Sequence, residues 1–242
     1  DELTRQTYLD IGCRPERVLA CGHPLHDAVE LLRADLENEG RDAIRARVLP
    51  DWPPGRPVFV FLSETSDGLN AAQFQRSSEY TLAGRGTSNE RGKIVLEEVI
   101  DVASTMWPRP YLVLRLHPKQ SREDVALYIP EVDAVSDGGA PLELVFVADL
   151  VVGMTTSLLL EAVILGRPTL SVLPRAVESR WLGGIDAGVI PAVTRREGLR
   201  SALALAVAGK LARGAPLDRA VRFGAIRDCV AFVNRVAGAA KP

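Results

Sequence analysis

Aromatic side chains are scarce, at 5% of the chain, so a core has to be built from Val, Leu, Ile and Ala. That supply suits a parallel sheet buried on both faces, whose strands read as unbroken aliphatic runs. Cysteine is scarcer still: Cys13, Cys21 and Cys229 form no CxxC and no metal-type spacing. Their odd number and wide separation argue against a disulfide scaffold and for a reducing cytosol. Neither sign of charge dominates, with a formal net charge of −2. Nothing global draws the chain to nucleic acid, so anion binding has to be local. No run reaches the roughly 18 apolar residues that span a bilayer. The most apolar stretch, Leu142 to Val172, is interrupted by Asp149, Glu161, Gly166, Arg167 and Pro168. No signal peptide is visible, and no GxGxxG follows a strand, so NAD binding lacks its usual sign. The sequence opens on Asp1 rather than Met, which reads as the interior of a longer protein.

Against these absences stand 242 residues, 47% of them hydrophobic and 25% charged, enough for one large domain. Val18 to Cys21 is a short strand candidate, and Pro24 to Leu49 reads as a helix weakened at Gly40. Three prolines between Asp51 and Pro57 mark a linker, after which Val58 to Leu62 is a strand for a sheet centre. Ser63 to Gly86 is a long polar loop, and Ser88 is placed to cap a helix running to about Met106. Strands follow at Tyr111 to Leu116, Val132 to Val135, Leu150 to Val152, Thr169 to Leu173 and Gly188 to Ile190. Helices are expected at Ser121 to Tyr128, Pro141 to Ala148, Thr156 to Leu165, Arg195 to Leu211 and Leu217 to Val236. The alternation predicts an α/β fold, a Rossmann-like three-layer α/β/α parallel sheet with right-handed crossovers. Such sheets bind ligands beyond the carboxyl ends of their strands, near the reversal of strand order. That rule selects the loops starting at Ser63, His117, Gly153 and Pro174.

The richest of these is Gly153-Met154-Thr155-Thr156-Ser157, a strand end running into a helix. Free amides at a helix start accept phosphate, three hydroxyls add donors, and Gly153 permits close backbone approach. Glu161, one turn on, can take hydrogen bonds from ribose hydroxyls. The bland alternative is a helix cap and a solvated carboxylate. His117 leaves a buried strand toward the same edge, where an imidazole can donate to phosphate or move a proton, although loop histidines are more often structural. Ser63 and Glu64, with Ser66 and Asp67 beyond, can hold phosphate or sugar hydroxyls, or form an ordinary polar turn. Gly84-Arg85-Gly86 is either a cationic finger over a diphosphate or a surface turn, the turn being favoured. His23, His26 and Asp27 lack a fourth ligand, so no metal is expected. Arg219, Arg222, Arg227 and Arg235 near the C-terminus allow a peripheral contact with an acidic membrane, but a solvated face is the simpler reading.

Four segments in order resemble the C-terminal half of GT-B enzymes, especially non-hydrolysing UDP-N-acetylglucosamine 2-epimerases and bacterial surface-polysaccharide glycosyltransferases. They are Arg17 to Pro24 with Asp27; Val58 to Ser63; Leu116-His117-Pro118; and Thr155-Thr156-Ser157 through Glu161-Ala162, with Gly166-Arg167-Pro168. The sequence departs from the epimerases in two places, with Gly22-His23 for Gly-Asn and Thr155-Thr156-Ser157 for Ser-Gly-Gly. The second departure is more similar to sialyl- and glycerophosphate-transferring capsule enzymes, which use CMP- or CDP-activated donors. The resemblance implies that Thr155, Thr156 and Ser157 hold phosphate, that Glu161 holds the ribose, and that His117 lies against the donor; Gly153, Ser63 and Glu64, from the reading of their loops, complete the expected donor-binding set, with His117 also the catalytic candidate. It implies a nucleotide-sugar or CMP/CDP-activated donor as ligand, with no tightly bound cofactor. Residues 1–50 then lead in, as a linker strand and helix, from a missing N-terminal domain, and residues 51–242 form the nucleotide-sugar-binding domain. The resulting expectation is a donor-binding domain of a cytoplasmic glycosyltransferase of surface polysaccharide biosynthesis. Half of a sugar-nucleotide 2-epimerase, with Glu64 or Asp67 as acid and base, and a non-catalytic GT-B-like module are the alternatives.

Overall fold

The computed structural model describes residues 2–65 and 71–239. Its helices and strands in chain order are α1 (Glu2–Asp10), α2 (Pro24–Glu39), α3 (Arg41–Val48), β1 (Val58–Leu62), α4 (Arg91–Ser104), β2 (Tyr111–Arg115), β3 (Ala134–Ser136) and α5 (Pro141–Val147). They continue as β4 (Leu150–Gly153), α6 (Leu158–Ile164), β5 (Thr169–Val172), α7 (Gly183–Asp186), β6 (Ala192–Val193), α8 (Arg196–Val207) and α9 (Ala225–Ala239). All strand pairs are parallel, in the order β3-β2-β1-β4-β5-β6. The chain builds outward from β1 to β3, then returns to lay β4 on the other side of β1. The reversal of strand order therefore falls between β1 and β4, beyond whose carboxyl ends such sheets generally bind ligands.

The strand sequences explain this layout. Every residue of β1 and β4 is buried, as unbroken aliphatic and Phe runs at the sheet centre require. The short edge strands β3 and β6 are only partly buried. Helices α4 and α8 pack together, while α2, α3, α5, α6 and α9 form a second group, so the sheet is covered on both faces as a three-layer α/β/α, Rossmann-like fold. Helices α2 and α3, from the expected lead-in, rest on α6 and α5.

Several expected elements differ. The helix expected over residues 24–49 breaks into α2 and α3 at Gly40, whose φ of 90° leaves the helical region. The strand expected at Val18 to Cys21 is irregular backbone and joins no sheet. A four-residue apolar run carries no information about whether a neighbour exists to pair with it. The last strand sits at Ala192–Val193, because Gly188, at φ +73°, and the residues after it form a turn whose Ile190 amide donates back to Gly184. The helix expected over residues 121–128 is a single 3-10 turn, Glu123–Val125, with a further 3-10 turn, Ile129–Glu131, just beyond it. Ser88, three residues ahead of the first residue of α4, accepts from the Glu90 amide at 3.1 Å rather than capping the helix's first turn.

Candidate functional site

The loop after β1 and the loop after β4 meet at the switch point, and the meeting is made by Glu64. One carboxylate oxygen accepts from the amides of Met154 (3.1 Å), Thr155 (2.6 Å) and Thr156 (2.9 Å). The other accepts from the Thr155 hydroxyl at 2.9 Å and from Arg91 at 3.0 Å. The three convergent amides are an anion-binding nest, and the protein's own carboxylate fills it. This corrects the expectation that these amides stand unpaired for a phosphate. Gly92 makes the arrangement possible: a Cβ there would lie 2.9 Å from the Glu64 carbonyl oxygen, so only glycine lets the first turn of α4 approach this loop.

Beneath Glu64 lies a charge network that sequence reasoning missed. Arg91, 1% exposed, bonds Glu64 and, at 2.6 Å, the fully buried Glu178. Glu178 in turn takes Arg175 at 2.7 Å. Arg91 and Arg175 both stack against Trp181, and Arg175 also covers Tyr80. Two guanidiniums and two carboxylates thus neutralise one another at the switch point. Arg175 and Glu178 stand at an i,i+3 spacing, but no spacing in the sequence links that pair to Glu64 or Arg91, and each looks like an ordinary surface charge on its own.

The switch point also carries Thr156, Ser157 and Glu161. Ser157 is exposed and donates to Glu161 at 3.3 Å, while the Thr156 hydroxyl accepts from the Leu158 amide at 3.3 Å. Glu161 is only 7% exposed, and no cation bonds it among the described residues. Burial pushes its carboxyl above the ordinary value, and the Ser157 bond and the nearby His23 charge pull it partly back. His23 immediately precedes α2, the helix that packs on α6, which carries the carboxylate. Gly153 is buried at the strand end, with Leu159 and Leu62 in contact range of a Cβ placed there.

His117 and Ser63 stand at the ends of β2 and β1. Ser63 extends the ladder by donating its amide to Arg115 at 2.9 Å. His117 Nδ1 accepts from the Lys119 amide at 3.2 Å, which leaves the neutral ring's proton on Nε2. The half-exposed ring bonds none of the other site residues among those described. Asp67, the second carboxylate weighed for acid–base work, lies outside the described residues.

Other flagged residues serve the framework. Asp27 accepts from the Gly224 and Ile226 amides, both at 2.8 Å, and these bonds, the Ile226 one foremost, hold it below the usual carboxylate range. Burial and then the charge of His23 push His26 below the ordinary histidine value. Arg85 is bound by Asp101 at 2.6 Å and Glu131 at 2.7 Å, so Gly84-Arg85-Gly86 is a tied turn and not a free cationic finger. Arg222 and Arg227 both pair with Asp228.

No protein-family model and no curated protein matches the sequence. Solved structures do match its fold. The chain aligns over 97% of its length with the UDP-GlcNAc 2-epimerase of Methanocaldococcus jannaschii in complex with UDP-GlcNAc and UDP, at TM-score 0.60 and 15% identity. It aligns over 97% with the UDP-GlcNAc 2-epimerase of Neisseria meningitidis bound to UDP-GlcNAc, at TM-score 0.59 and 11% identity. It aligns over its full length with the wall teichoic acid polymerase TagF, at TM-score 0.53 and 14% identity. The matches cover 59%, 59% and 58% of those chains, so this chain spans under two thirds of the neighbours' length. At such identities the likeness is one of fold, the Rossmann-like domain of GT-B proteins.

Proposed function

We propose that the chain is the donor-binding part of a GT-B glycosyltransferase of surface polysaccharide biosynthesis, with a nucleotide-activated sugar lying over the β1–β4 switch point. The observation that carries this reading is Glu161: a buried carboxylate at the carboxyl edge of the sheet whose one side-chain partner among the described residues, Ser157, is itself exposed. A buried anion without a bonded cation is costly, and ribose hydroxyls are the donors that would satisfy it. In this reading the hydroxyls of Thr156 and Ser157 and Nε2–H of His117 reach the phosphate, which Glu64 keeps outside the amide nest. Neighbours solved with UDP-GlcNAc and UDP support the ligand class. They are also longer than this chain, which supports a second domain closing the site from the other side.

Calorimetric titration with CDP, CMP, UDP and GDP tests the proposal. One or more should bind, and Glu161→Gln should weaken that binding about tenfold or more, since a charge-assisted hydrogen bond is worth about 1.5–3 kcal/mol. No heat from any of the four at millimolar ligand removes the reading. The epimerase alternative needs a carboxylate free for acid–base work; of its two candidates, Glu64 is spent on five hydrogen bonds and Asp67 lies outside the described residues. A second reading, a non-catalytic module, is favoured by that same filled nest. It is distinguished by Glu161→Ala and His117→Ala in the full-length protein, which then leave cellular activity unchanged.

A further inference from the structure

We propose that Cys21 and Cys229 are a redox-active thiol pair that closes to a disulfide by exchange with a small disulfide of the glutathione type. Their sulfurs lie 3.2 Å apart, although 208 positions separate them in sequence. Cys21 is 9% exposed and Cys229 is half-buried, so Cys229 is the more open of the two to an oxidant and the buried Cys21 sulfur is its neighbour. The third thiol, Cys13, takes no part in this contact.

The surrounding backbone holds the pair in place. Asp27 accepts from the Gly224 and Ile226 amides at the start of α9, and Arg222 donates to the Ala20 carbonyl at 2.9 Å. Gly22 packs so closely on the Arg222 carbonyl that a Cβ there would lie 2.5 Å from its oxygen. These contacts clasp residues 20–27 to residues 222–229 around the two sulfurs. Closing to a bond of about 2.05 Å asks for an adjustment of little more than 1 Å.

The exchange balances without any other reactant. The Cys229 thiolate attacks one sulfur of glutathione disulfide and expels a glutathione thiolate, leaving a mixed disulfide on Cys229. The Cys21 thiolate then attacks the Cys229 sulfur and expels the second glutathione. Two protein thiols are oxidised, one glutathione disulfide is reduced to two thiols, and the two protons lost by the cysteines pass to the glutathione thiolates. The product staples α9 to the turn that carries His23, independently of what the switch point binds.

The experiment incubates the full chain with excess glutathione disulfide, alkylates the remaining thiols and maps peptides by mass spectrometry. The expected result is a Cys21–Cys229 linked peptide with Cys13 still alkylated. The expected Tm is several degrees higher than that of the reduced protein, reverts on reduction, and does not rise in Cys229→Ser. The same incubation in denaturing urea should form the link at least about tenfold more slowly, because proximity is lost. The proposal is overturned if Cys21 and Cys229 stay alkylatable, if each ends as a separate glutathione adduct, if the link involves Cys13, or if urea leaves the rate unchanged.

Discussion

At Glu64 a full negative charge stands where three amides converge, and the buried Arg91 completes its shell. Removing Glu64 leaves three amides without their acceptor and two guanidiniums, Arg91 and Arg175, sharing the single carboxylate of Glu178 in a buried setting. Glu64→Ala should therefore lower stability by about 3–5 kcal/mol, read by denaturant unfolding. Inorganic phosphate should partly restore its Tm by occupying the vacated nest, an effect absent from the parent protein. Glu161 shows the opposite economy. Its carboxyl is raised above its ordinary 4.5 by burial, so the folded state holds the proton more tightly than the unfolded chain does. The contribution of this group to stability is greatest in acid and falls as pH rises above 4.5 toward the folded value. Unliganded Glu161→Gln should thus gain Tm relative to the parent between about pH 4 and about pH 7, while losing nucleotide affinity. A variant less stable than the parent at neutral pH would show that Glu161 is held by the fold rather than kept for a ligand. Thr155, Ser157 and Glu161 stand out in the sequence because hydroxyls after an aliphatic strand, and a Glu inside an apolar helix, are locally anomalous. Arg91 and Glu178 do not, because nothing local distinguishes a charge that will be buried from one that stays in water.

Among the elements, the long central strands were the most legible, and short segments with ambiguous partners the least. Five consecutive buried positions in β1 leave few alternatives. Val18 to Cys21 has the same chemistry but meets no strand, and instead supplies a carbonyl and a thiol to the residues around the start of α9. The turn at Gly84-Arg85-Gly86 shows how an element is fixed from outside itself. Glu98 accepts the Gly84 amide at 2.8 Å and Glu97 accepts the Arg85 amide at 2.7 Å, both carboxylates being nearly fully buried on α4. Gly84 has φ +55°, and a Cβ would run into the Glu97 carboxylate and lie 3.2 Å from the Ile94 Cα. Gly84→Ala should cost about 1–3 kcal/mol by thermal or denaturant unfolding, whereas Gly86→Ala, with open space around it, should lose only the smaller cost of its positive φ.

For the molecule as a whole, the strand order decides where function can sit. The reversal between β1 and β4 brings residues 64 and 154–156 together across about ninety positions of sequence. Cavities of about 510 and 430 Å³ lie elsewhere, lined for instance by Leu49, Tyr111 and Val135, and by Arg33, Arg167 and Arg213. On the proposed reading, residues 1–242 alone should bind nucleotide weakly and transfer sugar poorly. Robust transfer by this chain without a further domain, followed with a labelled donor, would contradict that division of labour.

By itself the sequence determined the parallel α/β architecture, because aliphatic runs alternating with amphipathic segments can bury their apolar surface in few other ways. It also marked the strand ends where polar loops emerge. Only the tertiary structure decided that Glu64 fills the amide nest, that Arg91 and Glu178 are buried as partners, and that Cys21 touches Cys229. Each of these depends on which distant segments the crossovers bring into contact. Hydrophobic periodicity reports which face of a segment is buried and carries no information about which charge, amide or thiol waits on the other side.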